Sequence, residues 1–245
     1  MTLERQIAIV TGASRGLGRA IALGLARAGA CTVLVARNGG ALNEVATAIE
    51  NAGGETMVVT CDVREPAATR AVVERALAEW GRIDVLVNNA GVALRRPALD
   101  TSLADWQRVV DTLLTGTFLM TQAALPSMIA ARRGNIINLV APLEKIAVPG
   151  LSAYAAAKWG VEGLTRTLAK ELRRYGINVN GLHPGGFADT AMVRDTVPEL
   201  KQGLLDPTVI VPAALALAAQ PPRGITGTTI DALAWNDGMA REVDA

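Results

Sequence analysis

The stretch Thr11-Gly12-Ala13-Ser14-Arg15-Gly16-Leu17-Gly18 constrains this chain more than any other. It follows the apolar run Ile7-Ala8-Ile9-Val10 and leads into Arg19-Ala20-Ile21-Ala22-Leu23-Gly24-Leu25-Ala26, a helix-like stretch. A buried strand, a glycine-rich turn and a helix start, in that order, form a phosphate-binding device. The glycines let the backbone approach a pyrophosphate, and the free N–H groups of the first helical turn point at it.

The rest of the chain repeats the alternation. Short β-branched runs fall at 7–10, 32–35, 57–60, 83–87, 135–140, 177–182 and 225–230. Segments with helical spacing lie between them, at 16–29, 40–52, 66–80, 102–131, 152–175 and 208–219. Such alternation predicts an α/β fold: a parallel sheet, doubly wound with helices on both faces. The 245 residues show no repeat or linker and are read as a single dinucleotide-binding domain, 1–245. The irregular stretch 184–207, with Pro184-Gly185-Gly186, Pro198 and Pro207, reads as a substrate loop or lid. Thr101 or Ser102 is placed to cap the helix near Leu103, and Ser152 the helix that carries Tyr154 and Lys158. Both long helices are apolar on more than one face, as in a deep core or an oligomer interface.

Composition removes several classes of function. Net charge is +1 and no long basic stretch occurs, so nucleic acid is not an expected partner. Cys31 and Cys61 are scattered and show neither a disulfide framework nor zinc spacing; no metal is expected. The first residues run straight into the first strand without room for a signal peptide, and no uninterrupted apolar run reaches the ~20 residues that a bilayer needs. The expected setting is cytoplasmic, away from membranes.

Strand two ends at Ala36-Arg37-Asn38, about where a residue that recognises the adenosine ribose falls. A carboxylate there favours NAD; Ala36 has none. Arg37 is placed to meet a 2′-phosphate, with Arg15 as the second arm of a clamp, because guanidinium donors are planar and paired. This reading gives NADP(H) in preference to NAD(H); the alternative is that both arginines only solvate loops. Asp62, in Cys61-Asp62-Val63, is placed to accept from an adenine amino group or to cap the helix near Glu65. Asn88-Asn89-Ala90-Gly91 ends another strand in amides and a glycine, which suits a cofactor edge or a bare turn.

In this order and spacing, the 11–18 turn, Asn88-Asn89-Ala90-Gly91, Tyr154-Ala155-Ala156-Ala157-Lys158, Pro184-Gly185 and Ile225-Thr226-Gly227 resemble the short-chain dehydrogenase/reductase family along nearly the whole chain. The resemblance implies a Rossmann-like sheet of seven strands and a homotetramer joined through helices 102–131 and 152–175. It implies that Tyr154 exchanges a proton with the substrate oxygen. It implies that Lys158, one turn later, favours the tyrosinate and holds the nicotinamide ribose. The loop at Pro184-Gly185 would face the nicotinamide, and Thr190, one residue later than the commonest family spacing, would meet its amide. Gly12, Ser14, Arg15, Gly16, Leu17, Gly18, Arg37, Asp62, Val63, Asn89, Ala90 and Gly91 complete the expected cofactor contacts.

Two family positions depart. Thirteen residues before Tyr154, where the family places a Ser, stands Ala141. Before the run Leu114-Thr115-Gly116-Thr117-Phe118, where the family places an Asn, stands Leu113. A lost oxyanion donor costs on the order of 10²–10³ in rate. Asn138, Ser152, Glu144, Lys145 and His183 are the neighbours that can supply polarity instead. Three functions are open: a carbonyl–alcohol oxidoreductase of atypical site; imine reduction, elimination or rearrangement; and a non-catalytic NADP(H) sensor or partner subunit. The substrate is a small molecule, expected between Val92–Pro97, Val140–Gly150 and the 184–207 loop, with Ala141, Glu144, His183 and Phe187 as candidate contacts. Arg95 and Arg96 either meet a substrate acid group or are solvated.

Overall fold

The computed structural model describes residues 2–243; the ends of the expected 1–245 unit, Met1, Asp244 and Ala245, lie outside the described residues. Seven parallel strands form one sheet: β1 (Ile7–Thr11), β2 (Cys31–Ala36), β3 (Thr56–Thr60), β4 (Val85–Asn88), β5 (Gly134–Leu139), β6 (Ile177–His183) and β7 (Thr229–Asp231). Their order is β3-β2-β1-β4-β5-β6-β7, as a Rossmann-like doubly wound sheet requires. Chain order reverses between β1 and β4, and a crevice opens there at the carboxyl ends of the strands.

Side chains alternate across the sheet with period two. Ala8, Val10, Leu34, Val85, Val87, Ile137 and Leu182 face α1 (Gly16–Arg27), α2 (Gly39–Glu50) and the C-terminal helices. Ile9, Val33, Val35, Leu86, Ile136 and Val179 face α3 (Pro66–Trp80) and two long helices described below. With both faces covered, the strands read as continuous apolar runs, and aliphatic side chains fill the core of a chain that is only 3% aromatic.

The helix expected at 102–131 is not uniform. α4 (Leu103–Val110) passes into a π turn at Asp111–Thr115 and then α5 (Gly116–Ala131). Ser102 caps α4, its hydroxyl accepting from Asp105 N at 3.1 Å. α6 (Ser152–Leu172) begins without its expected cap: Leu151 occupies the N-cap position and Ser152 lies exposed. The stretch 184–207 is less irregular than its prolines suggest. It holds the short α7 (Ala191–Thr196), whose N-cap is Thr190. α8 (Val211–Ala218) and α9 (Ala232–Val243) follow, the latter not anticipated. β7 begins at Thr229 rather than 225; Gly227, at φ +78°, turns the chain just before it.

Leu103–Ala131 is long and apolar enough, by length and composition, to cross a membrane, and 39% of its apolar window is buried. The stretch is not an uninterrupted apolar run: Thr112, Thr115, Thr117, Thr121, Gln122 and Ser127 punctuate it. The buried part of α5 packs on β4, β5 and α3, so a core-facing helix carries the hydropathy of a span.

Candidate active site

A cleft of about 490 Å³ opens at the carboxyl edge of β1 and β4. Gly12, Ser14, Arg15, Gly16 and Leu17 form one wall, Arg37, Asp62 and Val63 another, and Asn89, Ala90 and Gly91 the floor. Tyr154 and Lys158 close one end together with Val92, Leu113, Leu139, Val140 and Met192; Thr190 comes from the lid. Fourteen of the residues expected from sequence thus share one cavity.

The glycine turn has the geometry its residues imply. Gly12 and Gly16 have φ of +65° and +57°, a region that L side chains avoid. Gly18 does not line the cleft. A Cβ there would collide with Asn89 Nδ2 and the Gly12 carbonyl, so this glycine serves the close packing of α1 on the strand ends. α1 has Arg15 at its N-cap, no side-chain cap and no acidic residue in its first turn. Its first N–H groups are thus left for an anion. Asn89 Nδ2 donates to the carbonyls of Thr11 (2.8 Å) and Gly12 (3.2 Å) and fixes the turn. Thr11, which sequence reasoning did not single out, is the anchor beneath it. Its buried hydroxyl accepts from Asn89 N (2.9 Å) and Ala90 N (3.0 Å) and donates to Val87 O.

Arg15 and Arg37 are exposed on the cleft rim and have no ion-pair partner among the described residues. Asp62 does not cap α3, which has Glu65 at its N-cap and Pro66 in its first turn. Its carboxylate instead accepts from Arg64 Nη2 (2.6 Å) and Nε and from Arg64 N. Arg64, with a smaller contribution from Arg37, holds its pKa below the usual carboxylate range.

At the far end, Lys158 is 6% exposed and its Nζ donates to Leu139 O at 2.5 Å. The ammonium stands 5.8 Å from the centre of the Tyr154 ring. Burial governs both groups. It pushes the Tyr154 phenol up to about 12 and brings Lys158 down to about 8. For the phenol the cause is lost hydration, set against the expected pull of an ammonium that here donates to a carbonyl.

Leu113 sits in the π turn, 2% exposed; its Cδ2 would lie 2.9 Å from a Cβ at position 91, so Gly91 leaves room for it. Ala141 is buried next to the cleft-lining Val140, and its methyl stops short of the cleft. None of the proposed polar substitutes reaches it. Asn138 is fully buried, accepting from Asn88 Nδ2 (2.9 Å) and donating to Thr165 Oγ1 (2.9 Å). Ser152 and Glu144 are exposed, and Lys145 Nζ donates to Gly185 O. His183 Nδ1 accepts from Gly185 N at 3.1 Å, and burial lowers its basicity. Pro184, Gly185 and Phe187 likewise lie outside the cleft.

A family model described as short chain dehydrogenase matches residues 6–201. The chain is 42% identical over 187 residues to a 3-oxoacyl-(acyl-carrier-protein) reductase of Synechocystis, covering 76% of each chain. It is 38% identical over 181 residues to a gluconate 5-dehydrogenase of Gluconobacter oxydans, covering 74% of this chain and 71% of that one. A metagenomic short-chain oxidoreductase solved in complex with NADP superposes with a TM-score of 0.83 at 36% identity, over 94% of this chain and 97% of its own.

Proposed function

The chain belongs to the short-chain dehydrogenase/reductase family of oxidoreductases, and from that premise we propose that it interconverts a carbonyl and an alcohol on a small, fairly apolar substrate with NADP(H). The observation that carries this reading is the placing of Tyr154 and Lys158, one helical turn apart, in the same cleft as the uncapped start of α1. The bound dinucleotide supplies or accepts the hydride. The chain's residues hold it and move the proton.

Gly12, Ser14, Gly16 and Leu17 take the pyrophosphate, with Gly18 letting α1 come close enough. Arg15 and Arg37, without an ion-pair partner among the described residues, take the 2′-phosphate. Asp62 and Val63 meet the adenine. Asn89, Ala90 and Gly91 form the floor, Lys158 reaches the ribose, and Thr190 holds the carboxamide from the lid, with Pro184-Gly185 behind it. A phenol pushed up to about 12 is protonated at neutral pH, so Tyr154 holds the proton that a substrate oxygen takes up in the reductive direction. Two free, buried thiols suit a reducing compartment, and we place the protein in the cytoplasm.

A second reading rests on the donors. Around Tyr154 the wall of Val92, Leu113, Leu139, Val140 and Met192 brings no second hydroxyl, and Thr112, which also lines the cleft, donates to Arg108 O. A carbonyl oxygen has two lone pairs to satisfy; an imine nitrogen has one. Imine reduction therefore suits a site that has Ala141 in place of a hydroxyl.

Fluorescence titration tests the premise. NADPH binds on the order of tenfold tighter than NADH, and Arg37→Ala removes most of that preference. NADPH consumption on ketones and imines then separates the readings. Ala141→Ser with Leu113→Asn raises ketone turnover, by up to ~10²-fold, and leaves imine turnover behind. No affinity for either dinucleotide would end the proposal.

A further inference from the structure

The two arginines that follow β4 have different fates. Arg96 donates to Asp105 Oδ2 at 2.6 Å, and Asp105 is also held by Ser102 and Arg108 at the start of α4. The Arg96 N–H donates to Gly150 O at 2.8 Å. Arg96 is thus part of a wall. Arg95 instead reaches Glu199, a residue of the lid beyond α7, and its Nη1 donates to the Glu199 carboxylate. This pair is open to solvent, with the side chains 33% and 59% exposed.

Its position gives it meaning. Val92 lines the cleft, and Val92 and Leu94 pack with Leu113 and Tyr154 in one small apolar cluster. Gly150, on the opposite border, lies against the Arg95 side chain, where an added Cβ would stand 3.0 Å from Cγ. Arg95 does not line the cleft itself; one residue past Leu94 of that apolar cluster, it lies against Gly150 and bonds the lid, so all three segments expected to border the substrate meet at it. The lid is clasped at its neck by Asp189 N donating to Leu205 O (2.7 Å) and Leu205 N donating to Phe187 O (2.8 Å). Its tip can thus leave Arg95 without unmaking the neck. Thr190, Ala191 and Met192, between neck and tip, line the cleft.

We propose that Arg95 is the residue that recognises a carboxylate on the substrate, and that Glu199 holds its place until such a substrate arrives. The kinetic part rests on the carbonyl chemistry proposed above. A guanidinium offers paired, planar donors that match a carboxylate, and the chain's own carboxylate shows which group this position accepts. Because the pair is solvent-exposed it is weak and exchangeable. A substrate with a distal acid displaces Glu199 and frees the lid tip, while a neutral one leaves the pair in place. Arg96 cannot substitute, being held by Asp105.

Levulinate and methyl levulinate are suitable probes, since they share a ketone and differ in the acid. The preference for levulinate, as the ratio of kcat/KM values, falls about tenfold in Arg95→Gln, the loss of a charged hydrogen bond. It rises roughly two- to fivefold in Glu199→Gln, the release of an exposed ion pair. Independently of turnover, levulinate speeds amide exchange across residues 193–203 in the wild type but not in Arg95→Gln, and chloride at equal ionic strength does not. A ratio unchanged in both variants, or an equal loss on both probes in Arg95→Gln, overturns the proposal, as does exchange that responds alike to levulinate and chloride. If neither probe turns over while levulinate alone loosens the tip, Arg95 keeps its role and the carbonyl reading falls.

Discussion

Lys158 carries its charge where water barely reaches, and that has a measurable price. Its lowering from 10.5 to about 8 is caused by burial and corresponds to about 3 kcal/mol of cost to the folded state while the group stays protonated. Below pH 8 both folded and unfolded chains hold the proton, so the cost is fully present. Between pH 8 and 10.5 the unfolded chain binds more protons than the folded one, and stability rises with pH. Lys158→Met removes the charge but leaves the Leu139 carbonyl unpaired, at a cost of about 1 kcal/mol. In urea titrations the variant should gain stability relative to the wild type at pH 7, and the difference should shrink by about 3 kcal/mol by pH 10.5. A difference that does not move with pH would mean that Lys158 is hydrated. The Tyr154 and Lys158 pairing was legible because helical spacing sets residues four apart on one face. The direction of both shifts was not, because it depends on burial among Leu113, Leu139 and Val140, which come from distant parts of the chain. The Arg95–Glu199 pair, 104 positions apart, leaves no local trace either.

At the scale of elements, the glycine turn works because β1 and β4 are locked beneath it. Thr11 does this from the last position of β1, and its signal in the sequence is slight: a threonine ending a strand is ordinary. Its hydroxyl satisfies two N–H groups of the loop after β4. Thr11→Val keeps the shape and strands both donors in a part-buried site. The expected loss is about 2 kcal/mol, seen as a melting temperature lower by roughly 4–8 °C, together with weaker NADPH binding as Asn89 loosens from the turn. A melting temperature like the wild type's, with affinity intact, would show that Asn89 Nδ2 holds the turn without Thr11. Elsewhere the element reading was good where periodicity was long. The seven parallel strands and most helix ranges agree with the sequence expectations. It failed where a few residues decide: the π turn that presents Leu113, the one-turn start of the lid helix at Thr190, and the late start of β7 after Gly227.

For the whole molecule, the outer apolar side chains are the unresolved energetic term. Leu103, Trp106, Phe118 and Trp159 are 69%, 37%, 42% and 56% exposed, and all lie on α4, α5 or α6. Four large apolar side chains exposed on these helices, in a chain with net charge +1, call for a cover. The length and hydropathy of Leu103–Ala131 admit a bilayer as that cover, but the same helix packs on β4, β5 and α3. Inserting it would strip one face of the sheet and leave that core in water. A second copy can cover the exposed side without disturbing the buried one. We therefore propose a homotetramer assembled through the α4–α5 and α6 helices. Light scattering on a sizing column should give the mass of four chains of 25.5 kDa. Phe118→Glu with Trp159→Glu should shift it to smaller species, since a buried like-charge cluster without partners is strongly unfavourable. The circular dichroism of the variant should be preserved, as neither residue belongs to the buried core. A wild type that runs as one chain, or that floats with lipid vesicles, would show that the patch has a different cover.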